Sequence, residues 1–258
     1  MSHDPGREGF EQLTATQRAE VRRVGNAVGD QVASHCVQIL IGRPTHQRDG
    51  VKVDHAAGCV VLVGATRYLV TAAHVVDGFR KRVGSGESVV FQAGNLLLDV
   101  EARLSFNDRR IDVAMLRLEE GEGRSIPALT WIPAGWPPAL PRTGDWVAYA
   151  GFPSAYRQDD GHGRVDLAVV GGMMMVISAS SDRAITVLER EHLIAIRGEK
   201  VPPLGTELGG MSGGPVFRVG EGEKLELVGV VTDYGDTFDT FFLGLFGHPD
   251  IGALSDEA

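Results

Sequence analysis

The stretch GGMSGGP, residues 209–215, places a single serine, Ser212, among four glycines with a proline directly behind it. Glycine adopts backbone conformations, including φ > 0, that side chains disfavour. Such a loop can lift a hydroxyl clear of the chain and aim successive backbone N–H groups at one point, as oxyanion stabilisation requires. A glycine-rich turn between two strands has the same composition. A nucleophilic serine also needs a base and an orienting acid elsewhere in the chain.

His74 is the candidate base, because histidine has a side-chain pKa near neutrality. It follows the apolar, strand-like segment Tyr68–Thr71 and two alanines. A rigid strand would deliver the imidazole from the core to a barrel rim, although a satisfied core histidine fits the same pattern. His35 opens a strand. Six further histidines lie in polar or Gly/Pro-rich surroundings that indicate exposure to solvent: His3, His46, His55, His162, His192 and His248.

Asp112 is the candidate orienting acid. It lies in an apolar run, residues 111–116, where an unpaired carboxylate would be costly, so we expect it to have a partner. A carboxylate of this kind acts through a desolvated contact with the imidazole. Its competitors, Asp99 and Asp108, lie beside polar turn residues and can remain in water. A solvated position at the start of a strand is the alternative for Asp112.

The rest of the chain predicts an all-β protein. Short segments rich in β-branched residues form two groups, separated by residues 119–143, which contain five prolines. No central strand tolerates that density of proline, so this segment is predicted to be a connector. About a dozen strands predict two antiparallel six-stranded β-barrels, over residues 34–118 and 144–258. A cleft between the barrels would bring His74 and Asp112 to Ser212.

Residues 1–33 are predicted to form a tail and an amphipathic helix. Four valines recur at spacings of three and four residues, with charged residues between them. We expect this helix to lie on the main body of the protein. The alternative is that it binds a partner, such as a regulatory protein.

Composition excludes several other classes. The net charge of −9 argues against a nucleic-acid-binding protein, which needs a basic surface. No apolar run approaches the roughly 20 residues of a membrane span, and the first thirty residues lack the apolar core of a secretory signal. We therefore expect a cytoplasmic protein without a membrane partner. The two cysteines, Cys36 and Cys59, are too few for a disulfide framework and are predicted to be free thiols.

Three segments resemble the catalytic motifs of the chymotrypsin-like (trypsin-fold) serine proteases: TAAH at 71–74, DVAML at 112–116 and GMSGGP at 210–215. The segment GDWVAYAGFP at 144–153 is similar to the strand that opens the second barrel in bacterial members. The resemblance extends over about residues 34 to 246. It indicates a compact bacterial type without an appended PDZ-like domain.

This resemblance implies hydrolysis of protein or peptide substrates through an acyl-enzyme, with no metal and no cofactor. It makes Ser212 the nucleophile, His74 the base and Asp112 the group that fixes the imidazole tautomer. The N–H groups of Gly210 and Ser212 would form the oxyanion hole. A catalytically silent trypsin-fold protein that acts as a binding or scaffolding module is the alternative, and a non-proteolytic esterase is a third possibility.

The resemblance also implies substrate-binding roles for three residues around the first specificity pocket: Thr206, Glu207 and Thr232. There Glu207 would hold a basic side chain, although a solvated loop carboxylate fits its sequence equally well. Met211 stands where secreted members have an aspartate that pairs with a newly freed α-amino group. A thioether cannot pair with an ammonium ion in this way. We therefore expect the serine loop to be ordered by packing of Met211 or by a bound partner, and not by cleavage of the N-terminus.

Overall fold

The first half of the chain forms a curled eight-stranded sheet in the computed structural model, which describes residues 14–43, 53–159, 165–187, 208–235 and 239–254. The strands are β1 (Cys36–Gly42), β2 (Asp54–Val63), β3 (Thr66–Thr71), β4 (Val90–Ala93), β5 (Leu96–Leu98), β6 (Leu104–Asp108), β7 (Val113–Leu118) and β8 (Thr130–Trp131). Their order is β5-β4-β1-β2-β3-β7-β6, and β8 pairs in parallel with β2. The predicted connector therefore contributes a short strand to this sheet.

The first sheet is a half-barrel, so the two closed barrels predicted from the sequence are not both confirmed. A short helix, Val100–Arg103, separates β5 from β6. Asp99 stabilises this helix, because its carboxylate accepts a hydrogen bond from the Ala102 backbone N–H at 3.2 Å. The chain therefore turns between β5 and β6, which end the sheet order within the described residues.

The second half contains a closed six-stranded antiparallel barrel, as predicted. Its strands are β9 (Trp146–Gly151), β12 (Val170–Ala179), β13 (Arg183–Val187), β14 (Pro215–Val219), β15 (Leu225–Gly235) and β16 (Thr240–Leu245). The order β12-β13-β16-β15-β14-β9 closes where β9 pairs with β12. A separate two-stranded ribbon pairs β10 (Arg157–Asp159) with β11 (Val165–Leu167). Inward-facing side chains such as Tyr149, Phe241 and Leu243 fill the barrel.

Four α-helices accompany the strands in the described residues: α1 (Ala15–Ser34), α2 (Ala73–Gly84), α3 (Val100–Arg103) and α4 (Pro249–Ala253). Three short 3-10 helices span Glu122–Ser125, Ser154–Tyr156 and Glu221–Glu223. Helix α2 was not predicted from the sequence. It follows β3 after a single residue and buries Val75, Val76 and Phe79 against the first sheet. No helix among the described residues has the length and apolar character needed to cross a bilayer.

Helix α1 confirms the predicted N-terminal helix and lies against the second barrel. Val28 and Val32 are fully buried, and Val24 packs beside them. They share one core cluster with Phe217 of the second barrel and Val61 of the first sheet, so this cluster joins the helix to both halves. Because the valine face is covered, a regulatory protein that docks on α1, which stays a prediction, would have to use its polar face.

Cys36 and Cys59 face each other as partners in the β1–β2 pair, and both are buried free thiols. Burial raises the pKa of Cys59 to about 12 and raises the pKa of Cys36 well above its ordinary value. Because the thiolate is the reactive form, we expect iodoacetamide at pH 8 to leave the native protein unmodified. Denaturation without reductant should then expose two alkylatable thiols by mass spectrometry. A mass that shows a bridge would contradict this prediction and the cytoplasmic location expected from the sequence.

Candidate active site

His74, Asp112 and Ser212 lie where the two halves of the chain meet. His74 is the second residue of helix α2, Asp112 ends the turn before β7, and Ser212 lies in the loop before β14. His74 and Ser212 line the same cavity, which has a volume of about 550 Å³. The first half thus supplies the imidazole and the carboxylate, and the second half supplies the hydroxyl.

Asp112 holds His74 by two hydrogen bonds. Its Oδ1 accepts from the His74 backbone N–H at 2.8 Å, and its Oδ2 lies 2.8 Å from His74 Nδ1. A carboxylate can only accept, so Nδ1 carries the proton and Nε2 is left as a hydrogen-bond acceptor. The Asp112 side chain is 19% exposed and that of His74 is 52% exposed, so the acid is the more buried member of the pair.

The local electrostatics stabilise the positively charged form of the His74 imidazole. The hydrogen bond that His74 donates to Asp112 raises the pKa of His74 above its ordinary value, and this effect outweighs the opposing effect of burial. The negative charges of Asp112, Asp233 and Asp77 act in the same direction. His74 is therefore a stronger base than an isolated histidine.

Asp112 lies in a turn, and not inside the strand predicted from the sequence. Strand β7 begins one residue later, and Asp112 has φ = 56°, a left-handed conformation that aspartate tolerates better than most residues. Strands β13 and β16 of the second barrel contact this turn. The Arg183 guanidinium donates to the Arg110 carbonyl, and a Cβ added to Gly244 would lie 2.3 Å from the Ile111 carbonyl oxygen.

The serine loop requires glycine on both sides of Ser212. Gly210 and Gly213 have φ values of +91° and +85°, which side chains disfavour. A Cβ added to Gly213 would lie 2.1 Å from the Ala57 carbonyl oxygen and 2.2 Å from Thr71 Oγ1. The Ala57 N–H also donates to the Ser212 carbonyl at 2.8 Å. The loop is therefore fitted directly against strands β2 and β3 of the first sheet.

Two backbone N–H groups in this loop are available to a ligand. Among the described residues, the amide groups of Gly210 and Ser212 donate no hydrogen bond, whereas those of Gly213 and Gly214 donate to Val231 and Met211 carbonyls. Unpaired amides of this kind beside a serine are the donors that an oxyanion hole needs.

Met211 orders the serine loop by packing. Its side chain is 2% exposed and belongs to the core cluster of the second barrel. A Cβ added to Gly151 would lie 2.8 Å from Met211 Sδ, so strand β9 approaches the thioether closely. This position agrees with packing of Met211, one of the two means of loop ordering expected from the sequence.

Ser212 Oγ donates to the Thr232 carbonyl at 3.3 Å, and it does not hydrogen-bond to His74 among the described residues. The Thr232 hydroxyl is occupied as well, because it donates to the Phe242 carbonyl at 3.0 Å. Thr232 therefore lies beside the serine, with a buried side chain. The other two predicted substrate-binding residues, Thr206 and Glu207, lie outside the described residues.

Two histidines expected to be solvated are held within the protein. His55, in β2, is partly buried and donates from Nε2 to the Phe152 carbonyl at 2.9 Å, and burial lowers its pKa. A Cβ added to Gly210 would lie 2.2 Å from His55 Nε2, so this ring lies directly against the serine loop. His248 is 8% exposed, and its Nδ1 accepts from the Asp250 N–H at the start of helix α4. The polar and Gly/Pro-rich sequences around His55 and His248 gave no indication that either side chain is buried or partly buried.

No group of three or more metal-binding side chains occurs within the part of the chain that the structure describes. The site therefore consists of a His–Asp pair, a serine hydroxyl and two free backbone donors. This is the set of groups that acyl transfer by a serine nucleophile uses.

Residues 57–230 match the model of the trypsin-like peptidase domain, so the chain belongs to that family. Its fold is that of the chymotrypsin-like serine proteases. A crystal structure of a thermostable serine protease, AL20, from an extremophilic microorganism matches with 15% sequence identity and a TM-score of 0.50. That match covers 88% of this chain and 98% of the other.

A second solved structure comes from a study of the Sesbania mosaic virus VPg protein. It matches with 13% identity over 83% of this chain and 86% of the other, and its TM-score of 0.42 is too low to support an argument. At 15% identity the AL20 structure shows the fold alone. A comparison with curated protein sequences finds no significant match.

Proposed function

We propose that this protein is a serine endopeptidase that hydrolyses peptide bonds through an acyl-enzyme. Ser212 is the nucleophile, His74 is the general base and Asp112 is the orienting acid. The observation that carries the proposal is the pair of hydrogen bonds that Asp112 accepts from His74, which leaves Nε2 as an acceptor in the cavity that Ser212 also lines. Membership of the trypsin-like peptidase domain family supports the same reaction class.

The reaction begins when the Ser212 hydroxyl rotates away from the Thr232 carbonyl and gives its proton to His74 Nε2. The existing bond is long, at 3.3 Å, so little is lost in this rotation. The alkoxide attacks the scissile carbonyl, and the N–H groups of Gly210 and Ser212 stabilise the oxyanion. His74 then donates the proton to the leaving amine, and water releases the acyl group by the same steps.

One observation favours the alternative of a catalytically silent binding or scaffolding module. In the present structure the Ser212 hydroxyl points to a backbone carbonyl instead of to His74. Free proteases often have loose contacts of this kind, which tighten only when substrate is bound. The two functions therefore differ in whether Ser212 becomes acylated.

A fluorophosphonate probe tests the proposal directly, because it phosphonylates only an activated serine. We expect the probe to label the native protein and mass spectrometry to place the adduct on Ser212. Heat-denatured protein is the control, since it retains the hydroxyl but loses the His–Asp pair. Absence of label in the native protein, together with absence of peptide hydrolysis, would favour the silent module.

The raised pKa of His74 predicts the acid limb of the pH profile. The base must be neutral to accept the serine proton, so protonation of His74 removes activity. We expect kcat/KM to fall as the pH decreases, with a midpoint above the ordinary histidine value of about 6.5. Initial rates between pH 5 and 9 measure this midpoint. A midpoint at or below the ordinary value would contradict the predicted effect of Asp112.

A further inference from the structure

The cavity that contains Ser212 continues along one face of helix α2. That face presents His74, Gly78, Lys81 and Ser85 to the cavity, at the spacing of three and four residues that places side chains on one side of a helix. The opposite wall consists of the ends of β1 and β2, at Ile41 and residues 54–56. We call this part of the cavity the α2 groove.

The α2 groove lies on the leaving-group side of the proposed reaction. In that reaction His74 Nε2 gives its proton to the leaving amine, and His74 lies at the inner end of the groove. The groove is lined by helix α2, by the ends of β1 and β2 and by the serine loop. It is not lined by strand β15, which carries Thr232 of the expected first specificity pocket. A substrate segment that follows the scissile bond would therefore extend along helix α2. The assignment of the groove to the leaving-group side rests on the proposed function.

Gly78 keeps the groove open. Glycine in a helix interior is less stable than alanine, so its presence in α2 calls for a reason. Backbone conformation does not require glycine here, because Gly78 lacks a positive φ. Packing does not require it either, because an added Cβ would meet nothing within 4 Å. At Gly213, by contrast, an added Cβ would lie 2.1 Å from the Ala57 carbonyl oxygen. Gly78 forms the floor of the groove, and any larger side chain at this position would occupy the open space above it.

Among the described residues that line the groove, Lys81 is a cation without an ion-pair partner. Arg82 is only 16% exposed and is held by ion pairs to Asp54 at 2.9 Å and Glu87 at 3.0 Å. These three charges stabilise the wall of the groove. Lys81 is exposed and forms no ion pair among the described residues. A cation in this position attracts a carboxylate.

We propose that the α2 groove binds the substrate segment that follows the scissile bond and that Lys81 selects an acidic side chain there. Lys81 lies seven residues after His74, or about 10 Å along the helix at about 1.5 Å per residue. An extended peptide covers that distance in about three residues, at about 3.3 Å each. Because the lysine side chain leans towards the helix N-terminus, the preferred acidic residue is the second or third after the cleaved bond.

Acyl transfer measures this side of the site alone. The acyl-enzyme is formed from p-nitrophenyl acetate, with release of p-nitrophenol. The amine of an added peptide then attacks the ester carbonyl, loses a proton to His74 and forms an amide, while Ser212 Oγ leaves and regains that proton. The partition between the peptide amide and acetate, which forms with water, is quantified by chromatography. The peptides are tetrapeptide amides with alanine at positions one and four and aspartate, asparagine or lysine at positions two and three.

We expect the aspartate peptide to capture the acetyl group about fivefold better than the lysine peptide, as for an exposed ion pair. The preference should shrink in 0.5 M NaCl. Lys81→Glu should reverse it and Lys81→Gln should remove it, while Lys224→Glu, in the β14–β15 turn, should retain it. Gly78→Phe should lower capture of all three peptides relative to water, and Gly78→Ala should lower it much less.

The outcomes separate this proposal from the proposed function. Absence of acylated Ser212 would overturn the proposed function and the groove with it. Acylation with equal capture of the aspartate and lysine peptides would overturn the groove alone. A preference that persists in the folded Lys81→Glu and Lys81→Gln variants would also overturn it, because the selectivity would then have another source. Circular dichroism checks that each variant is folded.

Discussion

Replacement of Ser212 by alanine is expected to lower kcat for peptide hydrolysis by about 10⁶-fold. The variant loses the only group that forms the covalent bond, so the His74–Asp112 pair has no proton to accept. A residual rate of roughly 10³-fold over the uncatalysed reaction should remain, because the free N–H groups of Gly210 and Ser212 still bind the oxyanion. Single-turnover assays with a quenched fluorescent peptide measure the loss.

The fold should survive this substitution. Ser212 Oγ makes a single long hydrogen bond, to the Thr232 carbonyl, and its removal leaves the backbone contacts of the loop in place. Ser178→Ala, at an exposed position of β12, is the matched control and should retain full activity. Activity at the wild-type level in a folded Ser212→Ala protein would remove the basis for the proposed mechanism.

Replacement of Asp112 by asparagine is expected to lower kcat by about 10⁴-fold at neutral pH. Asp112 accepts two hydrogen bonds from His74, one from the backbone N–H and one from Nδ1–H. The asparagine amide has one acceptor oxygen and one NH₂ group, so it must present a donor to one of them. If the donor faces the ring, the proton moves to Nε2 and the base is lost.

The matched control for this variant is Asp99→Asn. Asp99 was a competing candidate for the acid, but it caps helix α3 through the Ala102 N–H, and asparagine caps helices equally well. We therefore expect Asp99→Asn to retain activity and stability. NMR of the imidazole nitrogens reports the tautomer in Asp112→Asn. Loss of less than tenfold in kcat would show that Asp112 does not fix the base.

The local sequence was sufficient to single out His74, Asp112 and Ser212, whose catalytic roles stay predictions. A serine among glycines, a histidine after a strand and an aspartate in an apolar run each require an unusual environment, so few positions in the chain qualify. The structure places His74 against Asp112 and brings His74 and Ser212 to one cavity. Their proposed roles await the experiments above.

Features that depend on contacts distant in sequence were not predictable. The valines at 75 and 76 favour a strand locally, but helix α2 forms because it buries them against the first sheet. The left-handed conformation of Asp112 similarly depends on support from the second barrel. His55 is partly buried because it lies against the serine loop, and a Cβ added to Gly210 would lie 2.2 Å from its Nε2.

The open edge of the half-barrel, by contrast, has a local feature that was missed. The apolar residues at 96–98, with Leu104 and Phe106, fit two strands of a closed barrel as well as they fit two edges of an open sheet. The choice depends on Asp99, whose cap starts a helix where the strand pattern would continue. Side-chain capping competes with strand formation in this way at residues whose short polar groups reach the backbone.

The division of the candidate site between two halves has a consequence for the protein during its synthesis. Asp112 and Ser212 are separated by 100 residues (212 − 112), and the serine loop is shaped by contact with Ala57 and Thr71 of the half that is made first. At about 5–20 residues per second, a ribosome needs roughly 5–20 s to extend the chain across that interval. His74 and Asp112 therefore leave the ribosome well before Ser212 is added to the chain. Under the proposed function, a growing chain cannot attack its neighbours on the same messenger RNA until its last strands are in place.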